Sequence, residues 1–176
     1  MATVDDIDRA LRTILDPEMP VNIVDLGIVH AVRVDDAGDA AIDITPTFVG
    51  CPALKMLEDM IRERVSALPD VKSVRVSFVY QPAWSVDRIS DAGRESLRQH
   101  GVTTPRRRPV DAPSPLVALT HGGKAASPVS AADLSPACPF CGSDATDLES
   151  PFGPTRCRMI YYCHACKNSF EHLKPI

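Results

Sequence analysis

The chain has 176 residues, with 19 Lys+Arg against 23 Asp+Glu and a formal net charge of −4. That length suits one compact domain with something smaller attached, and the acidic balance has the wrong sign for a general nucleic-acid footprint. No apolar run approaches the ~20 residues that span a bilayer, and the N-terminal "MATVDDIDRA" lacks the apolar core of a secretory signal. A cytoplasmic chain with reduced thiols is therefore expected, and its six cysteines point to metal or reactive chemistry before disulfides.

In chain order, "TVDDIDRALRTIL" places Val4, Ile7, Leu11, Ile14 and Leu15 on one helical face, with Thr3 and Asp6 spaced as an N-terminal cap. "DPEMP" stops that helix, because proline has no amide donor and restricts the residue before it. "GIVHAVRVDDAGDAAIDITP" reads as a hairpin: Ile28, His30, Val32 and Val34 alternate, "DDAG" turns, and Ile42 and Ile44 continue. "CPALKMLEDMIRERVSALP" is a second helix with Pro52 as its first residue and a buried stripe of Leu54, Leu57, Ile61, Val65 and Leu68. "VKSVRVSFVY" is a third strand, and "SDAGRESLRQHG" a short helix capped by Ser90 and ended by Gly101. The order helix-strand-strand-helix-strand-helix predicts an α+β domain over 1–102, helices on a small mixed or antiparallel sheet. Its open sheet edges invite a homodimer.

Residues 103–136 carry six prolines and a Gly-Gly pair, the composition of a linker. The "RRR" at 106–108 is either a solvated charge run or a contact for phosphate or an acidic partner. Residues 137–176 then bring two Cys-x-x-Cys knuckles, Cys138 with Cys141 and Cys163 with Cys166, 21 residues apart. Each knuckle aims two thiolates at one point, and four sulfurs make the closed tetrahedral shell of a structural zinc ribbon. A rubredoxin-type iron centre uses the same ligands. Cys157 shares a strand face with Cys163 and stands as a core residue, a replacement ligand or a redox-active neighbour. His164 and His172 are expected at the surface, and His30 as a structural histidine.

Cys51 stands apart from that cluster, before Pro52 and after Gly50. At a helix start, free backbone donors and the positive end of the dipole would stabilise its thiolate, making a soft-metal ligand or nucleophile. The alternative is an inert, buried thiol used as a small hydrophobe. "DPEMPVNIVDLGIV" adds Asp16, Glu18 and Asp25 within ten residues, a carboxylate density that caps and solvated turns also explain. Trp84, the single tryptophan, is either a partner-facing anchor or a lid on the sheet core.

"LDPEMPVNIVDLGIV", "TPTFVGCPA" and "VYQPAWSVDRISDAGRESL" together resemble the domain shared by SufT-like proteins and the cytosolic iron–sulfur targeting factors, over roughly residues 4–100. With the proline-rich linker and "CPFCGS…CHACKNSFEHLKPI", the whole is similar to the PaaD family, whose members belong to the phenylacetyl-CoA epoxidase system. The family's Asp-Pro-Glu turn falls on Asp16, Pro17 and Glu18, its Asp-Leu-Gly on Asp25, Leu26 and Gly27. Its Thr-x-x-x-Cys-Pro stretch falls on Thr47, Cys51 and Pro52, and its Pro-x-Trp on Pro82 and Trp84. The resemblance implies an accessory role in aerobic phenylacetate degradation, beside a di-iron oxygenase and a reductase carrying flavin and a [2Fe–2S] cluster. It implies maturation of an iron–sulfur or metal centre rather than epoxidation, with Cys51, Asp16, Glu18, Asp25 and Thr47 holding iron or a cluster transiently, or meeting a client thiol. Oxygenase or reductase components and the iron–sulfur assembly machinery would be the partners. The alternative is a non-catalytic adaptor docked on the oxygenase, with Trp84 and the ribbon as its interface. No phosphate loop, dinucleotide fingerprint or di-iron Glu-x-x-His pair is present, and Cys51 has no Cys-x-x-Cys partner, so independent catalysis is not expected.

Overall fold

Thr3 accepts a hydrogen bond from the Asp6 amide while the Asp6 carboxylate accepts from the Thr3 amide, and this reciprocal cap launches α1, Val4–Leu11. The computed structural model describes residues 2–107 and 135–174, so Arg108 and most of the proline-rich linker lie outside the described residues. Ile7, Ala10 and Leu11 of α1 are buried, but the helix ends before Leu15 comes round, and Leu15 is exposed rather than part of the stripe.

Strands β1 (Val29–Val34) and β2 (Asp39–Ile44) form the expected antiparallel hairpin, closed by Asp35, which accepts from the Ala37 and Asp39 amides. Helix α2 (Leu54–Ser66) carries the chain to β3 (Ser73–Phe78), which pairs with β2 in parallel and sets Val76 opposite Ile42. A parallel neighbour needs such a crossover, and the sheet order β1-β2-β3 is accordingly mixed. Ile7 and Leu11 of α1, Leu57, Ile61 and Val65 of α2, and Ala40, Ile42 and Ile44 of β2 meet in one core. Leu54 and Leu68 are only partly buried, which narrows the predicted stripe of α2 to its three central residues.

The segment after β3 lies over this core through Trp84, Val86 and Ile89 and includes a 3₁₀ turn, Val86–Arg88. Gly27 lets that segment close: at φ 75°, a Cβ there would lie 2.4 Å from the Arg88 carbonyl oxygen. Helix α3 (Asp91–Gln99) is capped by the Ser90 hydroxyl and followed by Gly101 at φ 78°.

The chain then does something the sequence pattern did not announce. β4 (Val102–Thr103), at the expected boundary between domain and linker, pairs in parallel with the last strand of the cysteine-rich tail. That tail consists of β5 (Thr146–Ser150), β6 (Arg158–Cys163) and β7 (Ser169–Leu173), giving a second sheet of order β4-β7-β6-β5. Val102, Cys157 and Leu173 are buried in the same hydrophobic cluster as the first domain's core. Phe140 of the first knuckle packs over Gly101, where a Cβ would stand 3.0 Å from its ring. The ribbon is thus seated against the α+β domain.

Candidate functional site

Two turns meet at Cys51. The turn preceding α2 is held by the Cys51 amide, which donates to the Phe48 carbonyl at 3.1 Å. Regular helix begins only at Leu54, with Ala53 as N-cap, so Pro52 lies before the helix instead of opening it. The Asp16–Met19 turn supplies the facing carboxylates: Cys51 Sγ lies 3.5 Å from Glu18 Oε2, and the Glu18 amide donates to Asp16 Oδ1 at 2.9 Å. Thr47 completes the wall around a water-sized cavity of about 20 Å³ shared by Asp16, Glu18 and Cys51.

This environment corrects the expectation of an ionised thiol. Burial disfavours the charged sulfur most; the Ala53 amide opposes that, and the nearby Glu18 and Asp16 charges add to it, pushing the Cys51 thiol up to about 11. At neutral pH the group is a protonated thiol donating toward Glu18. Burial likewise raises Asp16, with the neighbouring Glu18 charge adding to the effect.

A second, larger cleft of about 200 Å³ opens beside the first. Glu18, Thr47, Phe48, Cys51 and Pro52 form one wall, and Pro154, Thr155, Arg156 and Cys157 of the ribbon form the other. Cys157 is buried, and its thiol is raised, first by desolvation, with Glu18 contributing.

Other sequence candidates do not join them. Asp25 faces away, accepting from Asn22 Nδ2 at 2.6 Å, Ser90 Oγ at 2.8 Å and Arg12 at 3.3 Å. Burial works to raise its pKa, but these donors outweigh it and hold the carboxyl below its usual value. Asp25 is a clasp between the loop before β1 and the start of α3, not a neighbour of the thiol. Trp84 is 4% exposed and donates Nε1–H to the Leu26 carbonyl at 3.1 Å, so it is a core lid and no partner anchor. His30 and His164 are exposed, whereas His172, expected at the surface, is buried with Nδ1 2.8 Å from Thr103 Oγ1. Arg107 of the arginine run pairs with Asp91 at 3.0 Å and donates to the Ile89 carbonyl.

The four remaining cysteines form a separate metal-binding cluster. Their sulfurs lie within 4.8 Å of one another, and the Cys138–Cys166 and Cys141–Cys163 pairs are each 3.6 Å apart. A tetrahedron with metal–sulfur bonds of about 2.3 Å has edges of roughly 3.8 Å, so the set fits. Both knuckles use the same backbone device. Gly142 and Lys167 follow them at φ 74° and 62°, and each amide returns to the first cysteine's carbonyl at 2.9 Å. Asn168 donates to Cys166 through its side chain and backbone and lowers that thiol to about 6.

Comparison with known proteins matches residues 4–78 to the family model "iron-sulfur cluster assembly protein" and residues 124–174 to the "PaaD zinc beta ribbon domain". An Escherichia coli K12 protein, named as a component of a "Putative 1,2-phenylacetyl-CoA epoxidase", is 34% identical over 175 residues, covering 98% of this chain and 93% of that one. The Bacillus subtilis "Fe-S protein maturation auxiliary factor YitW" is 37% identical over 96 residues, covering 54% of this chain and 94% of its own. A crystal structure of a domain of unknown function from Bacillus anthracis superposes with a TM-score of 0.52 at 32% identity, over 53% of this chain and 90% of that one. The chain belongs to the PaaD family.

Proposed function

We propose that this member of the PaaD family is an accessory factor for maturation of the iron–sulfur or other metal centre of a phenylacetyl-CoA epoxidase system, carrying iron or a cluster transiently at Cys51. The observation that supports this is the pairing of Cys51 with Glu18, a soft sulfur and a carboxylate brought from separate turns to 3.5 Å beside an open cleft. Metal binding needs the thiolate, so iron must displace the thiol proton, and Glu18 is placed to receive it. The names of the relatives, a maturation factor over the first domain and an epoxidase component over the whole length, agree with this reading.

The four-cysteine cluster would hold zinc, and the ribbon would serve as the docking module for the oxygenase or reductase components and the assembly machinery, in the reducing cytoplasm. The test is anaerobic reconstitution with iron and sulfide, followed by addition to the metal-free oxygenase and reductase components. Cys51→Ser should lose both the chromophore and the activation, and equal values in both proteins would remove the role of Cys51. The neutral state of Cys51 favours a second reading, a non-catalytic adaptor docked on the oxygenase. Copurification in fixed stoichiometry with active oxygenase would support the adaptor, and absence from the active complex the carrier.

A further inference from the structure

Cys157 is the one ribbon thiol outside the four-cysteine shell, yet it lies on the wall of the cleft opposite Cys51. We propose that Cys157 is the ribbon's contribution to the Cys51 site, so that thiophilic iron, as the ferrous ion or a small iron–sulfur cluster, is clasped between one thiol from each domain with Glu18 beside them. This rests on the reading of Cys51 as the carrier site.

The juxtaposition is built. Arg158, next in the chain and 8% exposed, donates Nη2 to the Glu18 carbonyl at 2.9 Å and Nε to Thr155 Oγ1 at 2.8 Å, and it pairs with Glu171. One guanidinium therefore fixes the Glu18 backbone to the strand end that carries Cys157. Thr155 Oγ1 lies 3.2 Å from Cys157 Sγ, a polar contact that an inert packing residue would not need.

Among the described residues only the four ribbon cysteines bring three or more ligand atoms within 4.8 Å, so the cleft is an open jaw rather than a closed shell. Its 200 Å³ admits more than a bare ion. Arg156, whose guanidinium stands 6.0 Å from the Phe48 ring centre, lines the same cleft and brings one cation to the wall that carries Cys157. On binding, each S–H bond is exchanged for an iron–sulfur bond, two protons leave, and iron keeps its oxidation state.

The test uses zinc-loaded full-length protein titrated anaerobically with ferrous ion alone, reading thiolate-to-iron charge-transfer absorbance per bound iron. Zinc content and circular dichroism confirm that each variant is folded. Cys157→Ser and Cys157→Ala should each lower the absorbance about twofold or more, as Cys51→Ser should, because each removes one of two thiolate ligands. The double variant should lose it. Wild-type absorbance in both Cys157 variants, with loss in Cys51→Ser, would overturn the clasp and leave Cys51 as the carrier site. No absorbance in wild type, or none lost in Cys51→Ser, would overturn the carrier reading and the clasp with it.

Discussion

Glu18 presents one oxygen to the Cys51 sulfur at 3.5 Å, in a pocket where burial already penalises charge. Two adjacent negative charges would be costly there, so the sulfur keeps its proton, with ionisation pushed to about 11. Alkylation of Cys51 at pH 8 should accordingly be slower than that of a cysteine in an unfolded peptide, and should rise steeply as the pH approaches 11. Glu18→Gln removes one of the opposing charges and should speed labelling several-fold at fixed pH. A peptide-like rate in wild type would contradict this environment. Asp25 has the opposite character, since its carboxylate satisfies Asn22, Ser90 and Arg12. Asp25→Ala should cost about 1–3 kcal/mol in chemical denaturation, while ferrous ion binding at Cys51 stays unchanged. The density of carboxylates near residues 16–25 was visible in the sequence. Which of them reaches Cys51 was not, because the partners are brought together by a contact spanning 33 residues.

Elements with local signals were legible: the Thr3–Asp6 cap of α1, the turn at Asp35, and α3 between Ser90 and Gly101 all lie where their residues predict. The start of α2 was misplaced because Pro52 suits a first helical position, yet the turn made by Phe48 and Cys51 delays the helix to Leu54. Two-residue β4 carries no periodic signal, and only its pairing with β7 reveals it. That pairing buries His172, and burial lowers its pKa from 6.5 to about 4. Between those values the unfolded chain binds the proton and the folded chain does not, so stability is fully present above pH 6.5 and is lost as pH falls toward 4. The loss is up to about 3 kcal/mol. Thermal melting at constant zinc occupancy should show this slope in wild type and much less of it in His172→Phe. Parallel pH profiles would contradict a buried neutral histidine.

At the scale of the molecule, the ribbon is both a four-cysteine module and a wall of the first domain's cleft. Some forty residues bury too little apolar surface to fold without their metal. Chelation should therefore unfold the ribbon, free β4, and expose Cys157 to rapid alkylation, while the helical signal of the first domain persists. Slow labelling of Cys157 after complete metal removal would contradict the coupling. The two knuckles made the ribbon legible from spacing alone. Its seating was not legible, because it depends on single contacts such as Arg158 to the Glu18 carbonyl. The most direct measurement of Cys51 as the iron site is elemental analysis of anaerobically purified protein after loading with ferrous iron, comparing wild type with Cys51→Ser. Zinc should stay at one per chain in both, and iron should be present in wild type and reduced at least about twofold in Cys51→Ser. Equal iron in the two proteins would contradict the assignment.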